Sequence, residues 1–171
     1  MSDKPGGDRT RPPPEALAAA EASLSAQLGA RVSRAPGILR QHANTLTWIA
    51  SEPPDLVVWP ETTQEVAEVV TVAARHRLPI VTFGAGTSLE GHVNAPYGGI
   101  SLDMSRMNRV LEVNARDFDC RVEAGVTRRQ LNQHLRDTGL AFTVDPGAEE
   151  ATIGGMAATR ASGTNAVRYG T

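Results

Sequence analysis

An apolar strand, Pro79-Ile-Val-Thr-Phe83, runs directly into Gly84-Ala-Gly86-Thr-Ser88-Leu-Glu-Gly91, and the residues after this loop cannot continue as a helix. Asn94-Ala-Pro96-Tyr-Gly98-Gly99 places a residue without an N–H donor and two of the poorest helix formers where a crossover helix would have to run. The chain must therefore bring a strand to a small-residue loop and return to the sheet without a helix. Gly84 and Gly86 permit positive φ and close backbone approach, so successive N–H groups can converge on one anion. Thr87 and Ser88 add hydroxyl donors. An ordinary turn rich in small residues is the competing reading of this loop taken alone.

Two familiar phosphate loops do not fit. A Walker loop requires Lys and then Ser or Thr after Gly86-x4-Gly91, and His92-Val93 stand there instead. A Rossmann fingerprint requires a third glycine at position 89 and a helix opening at that point, but the residue is Leu89.

Composition narrows the function classes. Across 171 residues, 40% are apolar and the net charge is −2, as in a globular chain long enough to bury a core. Basic residues are scattered and aromatics are only 4%, so the charged stripe and stacking platforms of a nucleic-acid binder are missing. No apolar run reaches the roughly 20 residues of a transmembrane helix, and Met1-Ser-Asp-Lys-Pro-Gly-Gly-Asp8 has no apolar signal core. These features point to the cytoplasm. The single cysteine, Cys120, reads as a small core residue on a strand. It excludes an internal disulfide and a cysteine metal cluster, and His42 and His134 have no partner at metal-ligand spacing, so no metal is expected.

The organisation expected is a disordered lead-in over 1–14, a helical segment over 15–50 and a cofactor-binding region over 51–171. Leu17, Ala20, Leu24 and Leu28 recur at the helical period, with Gly29 as a stop. Leu56-Val-Val-Trp59 reads as a buried strand, and Thr62 with Glu65 as a capping box opening a helix whose apolar face is Val66, Val69, Val70 and Ala73. Arg75-His76-Arg77 sits at that helix's negative end, which accounts for His76. Further strands are expected over Gly99–Asp103, Val110–Val113 and Phe118–Glu123. A second capped helix should run from Thr127, with Gln130 completing the box and Val126 stapled onto Leu131, to Gly139.

Beyond it, Asp145-Pro-Gly147 and Thr152-Ile-Gly154-Gly155-Met-Ala-Ala-Thr159-Arg-Ala-Ser162-Gly163 form a second small-residue stretch. Neither 79–104 nor 138–158 contains Lys or Arg. An anion held there must be held by backbone amides and hydroxyls, which suits a diphosphate buried between two loops. The adjacent Glu149 and Glu150 read as solvated side chains rather than an acid–base pair.

These residues resemble the FAD-binding domain of the vanillyl-alcohol-oxidase (PCMH) type, and within it the D-lactate dehydrogenase (cytochrome) and glycolate-oxidase flavin-subunit group. The resemblance runs from about Pro54 to Thr171. It is carried by Pro54-Asp-Leu-Val-Val-Trp-Pro60, Phe83-Gly-Ala-Gly-Thr-Ser-Leu-Glu-Gly91, Val144-Asp-Pro-Gly147 and Gly154-Gly-Met-Ala-Ala-Thr-Arg-Ala-Ser-Gly-Thr-Asn-Ala-Val-Arg-Tyr-Gly170. It implies an α+β fold: a small β-α-β subdomain and the start of a second, mixed-sheet subdomain. It further implies that Gly84, Ala85, Gly86, Thr87 and Ser88 wrap the FAD pyrophosphate, and that Pro146, Gly147, Thr152, Gly155, Thr159 and Ser162 line the other side. Relatives that tether flavin through histidine do so at the position of Thr87, so FAD is expected here without a covalent bond. His92 is expected to be solvent-facing or locally hydrogen-bonded.

The reaction implied is oxidation of a 2-hydroxy acid, D-lactate to pyruvate, with hydride passing to flavin N5, a base taking the hydroxyl proton, and electrons leaving to a cytochrome or another carrier. The family's catalytic histidine, substrate arginines and metal ligands lie beyond residue 171, so no catalytic residue is expected in this chain. The chain is accordingly expected to be a truncated portion, inactive by itself. The alternatives are a non-catalytic remnant with weak or no FAD binding, and another flavin oxidoreductase of this fold such as a glycolate oxidase subunit. Ether-lipid synthesis and cell-wall precursor reduction rank behind these.

Overall fold

Leu56–Val58 (β2), Ile80–Phe83 (β3) and Ile100–Asp103 (β4) form a parallel core with β4 in the middle, and Val32–Ser33 (β1) adds an antiparallel edge to β2. The computed structural model describes residues 10–43 and 46–170. Most of the expected lead-in, residues 1–9, lies outside them. Within the remainder, Arg11 donates to Asp55 Oδ1 and to the Pro53 carbonyl, each at 2.8 Å, and Pro14 opens the first helix.

That helix, Pro14–Leu28 (α1), buries Leu17, Ala20, Leu24 and Leu28, and Gly29 stops it at φ 58°. It packs on Thr63–His76 (α3), and both cover the sheet face formed by Leu56, Val58, Ile100 and Leu102. Val57 and Ser101 are equally buried but belong to the opposite face, because strand side chains alternate. The sheet is thus covered on both sides, as parallel strands with continuous apolar runs require. The expected α3 stripe is corrected at one position. Val72 is buried with Val69 and Ala73, whereas Val70 is 47% exposed, since it stands about 100° around the helix from Val69.

The cap of α3 also departs from a reciprocal box. Thr62 Oγ1 accepts the Glu65 N–H at 3.1 Å, but the Glu65 carboxylate takes the Glu61 N–H at 2.6 Å and a bidentate Arg31 guanidinium at 2.5 and 2.6 Å. The Arg31 hydrogen bonds are the main reason the Glu65 carboxyl is held down at about 2. Arg31→Met is expected to lower stability at neutral pH by about 1–2 kcal/mol. A carboxyl with a depressed folded value stabilises above its unfolded value, so the difference should fade as pH falls from 4.5 toward about 2. Urea unfolding at pH 7 and pH 3 measures it.

A second unit begins with the antiparallel pair Val110–Asn114 (β5) and Asp119–Val122 (β6). Phe118, expected in that strand, is instead a turn residue at φ 56° and 82% exposed. Arg128–Leu135 (α4) carries the full capping box of Thr127 and Gln130, and Val126, Leu131 and Leu135 form a separate small core on which Cys120 packs, half-buried. The helix stops at Leu135 rather than at Gly139, where Thr138 Oγ1 donates to the Leu135 carbonyl at 2.6 Å. Pro36–Gln41 (α2), Ile153–Thr159 (α5) and Ala166–Tyr169 (α6) complete the elements.

Candidate functional site

The three parallel strands end at Val58, Phe83 and Asp103, and open sheets of this kind bind ligands beyond their carboxyl ends. From the end of β3 the chain returns to the start of β4 through residues 84–99 without a helix, burying Val93, Asn94 and Ala95 against the Glu52 segment. At its beginning, the N–H groups of Gly84, Ala85, Gly86, Thr87 and Ser88 donate no hydrogen bond among the described residues. Five consecutive amides without a protein partner are the donor set an anion needs.

The glycines of this loop do different work. Gly86 adopts φ 65°, and a Cβ there would stand 3.0 Å from the Phe83 ring. Gly84 has no positive φ; it is needed because Thr152 Oγ1 occupies the place of a Cβ. The same hydroxyl caps α5, accepting the Gly155 N–H at 3.2 Å. Gly84, Thr152 and Gly155 are therefore brought together, and the two small-residue segments meet through one threonine.

The second segment, expected as a loop, holds the short helix α5. Its first amides are already spent: Ile153 N–H on Val126, Gly154 N–H on Ala124 and Gly155 N–H on Thr152. Gly154 is the close-approach glycine there, since a Cβ would lie 2.7 Å from Ala124 Cβ. Thr159 Oγ1 donates back to the Gly155 carbonyl at 3.0 Å, and Ser162 is exposed with no hydrogen bond among the described residues. Pro146 and Gly147 follow Asp145, whose carboxylate accepts from Thr164 Oγ1 at 2.7 Å and the Asn165 N–H at 2.9 Å, and is held below the usual range chiefly by Thr164. No hydrogen bond joins Pro146, Gly147, Thr159 or Ser162 to the first loop among the described residues.

Ser88 Oγ and His92 Nδ1 lie 2.6 Å apart, so the imidazole is locally engaged and exposed. Glu149 and Glu150 both pair with Arg129, at 3.1 and 2.5 Å, which accounts for them as surface ion pairs. An open cleft of about 610 Å³ lies elsewhere, between Thr62–Gln64 and Met107, Arg109 and Leu111, and includes none of the loop residues.

Sequence reasoning missed a cluster beneath the first loop. His42, treated only as a lone histidine, is buried and faces Asp103 Oδ2 through Nε2 at 2.9 Å, and Trp59 Nε1 donates to the same oxygen at 2.7 Å. Burial, the largest influence, lowers His42, but Asp103 and the Ile38 carbonyl together carry it above its ordinary value. Burial likewise raises Asp103 most, yet His42 and the Ser105 N–H hold it below the usual carboxylate range. The signal available in the sequence was Trp59 and Asp103 at the ends of two predicted strands; nothing there brings in His42.

Residues 54–171 match the family model described as FAD binding domain. Over 140 residues the chain is 49% identical to the probable mitochondrial D-lactate dehydrogenase of Danio rerio, covering 82% of this chain and 28% of that protein. It is 48% identical over 118 residues to the mitochondrial D-lactate dehydrogenase [cytochrome] of Arabidopsis thaliana, covering 69% and 21%. The chain thus spans between about a fifth and a third of these relatives. A solved structure of alkyldihydroxyacetonephosphate synthase superposes with TM-score 0.80 at 27% identity, over 95% of this chain and 35% of the other. The mixed α and β architecture expected from the resemblance is that of these neighbours. Among the described residues, no helix is long and apolar enough to cross a membrane.

Proposed function

We propose, for a chain that belongs to the FAD binding domain family, that it carries the FAD-holding part of a flavin-dependent 2-hydroxy-acid dehydrogenase acting on D-lactate. FAD is the cofactor of this family. The observation that carries the reading is the run of five amides from Gly84 to Ser88 that are unpaired among the described residues, closed on one side by Thr152. The residues fit the group: unpaired donors, a left-handed glycine, and the buried, unpartnered Asn94 Nδ2 near Gly91, in a stretch without competing carboxylates from Gly84 to Leu89.

In this reading the amides of Gly84, Ala85, Gly86, Thr87 and Ser88 hold the diphosphate, with the free Thr87 hydroxyl as a further donor. Thr152 and Gly155 form the facing wall, and Pro146, Gly147, Thr159 and Ser162 extend it. FAD, when bound, supplies the two-electron acceptor for the C2 hydride of the hydroxy acid. The attachment is non-covalent, because Thr87 offers no imidazole and the His92 ring is engaged with Ser88. The base that takes the substrate proton and the groups that hold its carboxylate are assigned to no residue of this chain. The acceptor is a cytochrome or another carrier, in keeping with the names of the relatives. Their mitochondrial names stand against the cytoplasm, which we retain from the sequence and which cell fractionation tests.

The test is FAD retention by this chain after desalting, and anaerobic addition of D-lactate, followed by absorbance, to an FAD-loaded form that also carries the substrate-holding groups. Bleaching by D-lactate and not by L-lactate is expected. Retained flavin that no 2-hydroxy acid bleaches would remove the substrate class, and protein that never retains flavin would remove the cofactor site.

A further inference from the structure

A buried imidazole lies one ring away from the proposed diphosphate loop. His42 follows α2, and its Nδ1 sits 2.9 Å from the Ile38 carbonyl oxygen while its Nε2 sits 2.9 Å from Asp103 Oδ2. A carbonyl and a carboxylate can only accept, so both ring nitrogens must donate and the ring is an imidazolium. Asp103 collects three donors: Trp59 Nε1 and His42 Nε2 on Oδ2, and the Ser105 N–H on Oδ1 at 2.8 Å. Both partners are 5% exposed.

The fourth member connects this pair to the loop. The Phe83 ring packs on the His42 ring with centroids 4.5 Å apart, and two atoms of its far edge lie 3.0 and 3.1 Å from the position a Cβ would take on Gly86. Phe83 therefore touches both the His42 ring and the position a Gly86 Cβ would take. Trp59 closes the cluster edge-on, 5.7 Å from the His42 ring.

We propose that the His42–Asp103 pair is a positioning unit for the FAD loop, holding the Phe83 ring as the floor beneath Gly86, so that FAD is held most tightly while His42 is protonated. This rests on the reading that residues 84–88 hold the FAD diphosphate. His42 and Asp103 act through Phe83 and contact no cofactor themselves. Loss of a ring proton must break the bond to Ile38 or the bond to Asp103, because a bare nitrogen facing an oxygen acceptor is repelled.

Among the described residues, the groups facing His42 are the Asp103 carboxylate from β4, the Trp59 indole after β2, the Phe83 ring from β3 and the Ile38 carbonyl from α2; only Asp103 is charged. The His42 value is raised above its ordinary one. The pair is therefore intact below the ordinary imidazole range and is lost as pH rises through the raised value. FAD affinity should fall in the same direction.

The experiment is FAD titration of the full chain, read by flavin fluorescence, between about pH 6 and about pH 9. In parallel, Trp59 emission is followed without FAD in a Trp48→Phe background, where it is the remaining indole. We expect the Kd to rise about tenfold across this range, with Trp59 emission titrating alongside. His42→Gln, which can still donate one hydrogen bond to Asp103 but does not titrate, should flatten both profiles, and His92→Ala should leave both as in the parent.

Flat parental profiles overturn the proposal. So does a profile that survives His42→Gln and disappears in His92→Ala. Gly86→Val separates this from the underlying reading: if that variant binds FAD as the parent does, the loop assignment itself fails. If it loses FAD while His42→Gln behaves as the parent, only the positioning role fails. Circular dichroism melts at the acid end establish that each variant is folded.

Discussion

Replacing Gly86 by valine is expected to leave a folded protein that loses its FAD on a desalting column. Two separate obstacles act at this residue. The backbone stands at φ 65°, where a β-branched side chain is strained, and the new Cβ would press on the Phe83 ring at 3.0 Å. Relief requires the loop to turn out of its left-handed conformation, and that rotates the neighbouring amides away from a common centre. Losing two charge-assisted hydrogen bonds of about 1.5 kcal/mol each corresponds to about a hundredfold in affinity. The fold should survive, because Gly86 is half-exposed in a loop and no ladder bond depends on it. Flavin absorbance retained after desalting, together with a thermal melt, checks both parts; normal flavin content would sink the loop assignment. His92→Ala is the contrasting case. It removes only an exposed ring bonded to Ser88, and flavin retention should stay at the parental level.

Gly99→Ala is expected to have the opposite profile, a large loss of stability far from the proposed cofactor loop. Gly99 lies at φ 86°, and a Cβ would collide with the Pro79 carbonyl oxygen and stand 2.9 Å from its carbon. The backbone has no room to retreat. The Gly99 N–H donates to Asp55 Oδ2 at 2.7 Å, and its carbonyl accepts from Asp55 at 2.8 Å and Leu56 at 3.1 Å. The next residue, Ile100, donates to the same Pro79 carbonyl at 2.8 Å, at the start of the central strand. Moving Gly99 therefore breaks the entry of β4 between β2 and β3. A cost of about 4 kcal/mol is expected, a large share of the 5–15 kcal/mol by which domains are stable. The melting temperature should fall by about 10 °C. A fall of less than about 2 °C would show that the sheet entry tolerates a side chain.

Local features were readable from the residues because their causes are local. The α1 stripe of Leu17, Ala20, Leu24 and Leu28 follows from helical geometry, and the Thr127–Gln130 capping box from groups three residues apart. Failures occur where a distant partner competes. Glu65 has the right spacing to complete a box with Thr62, but Arg31, 34 residues away, draws its carboxylate into a bidentate pair. Val70 matched the apolar pattern, yet the direction from which α1 and the sheet approach decided in favour of Val72. The second small-residue segment read as a loop because Gly154 and Gly155 are poor helix formers. Tertiary bonds to Ala124 and Val126 and the Thr152 cap outweigh that cost.

The sequence by itself determined that a strand ends in a glycine loop with no helix to follow, that any anion there is held without lysine or arginine, and which family the chain resembles. These depend on residue identity and short spacing, which fold cannot change. Only the tertiary structure decided that Gly84 is reserved for Thr152, that the loop's five amides find no partner among the described residues, and that His42 lies buried against Asp103 and the Phe83 ring. Each of these joins segments more than 40 residues apart, or, for the amides, depends on what no other described segment reaches. Such pairings are set by how the parallel strands and their coverings meet, a property of the whole chain that no window of sequence contains.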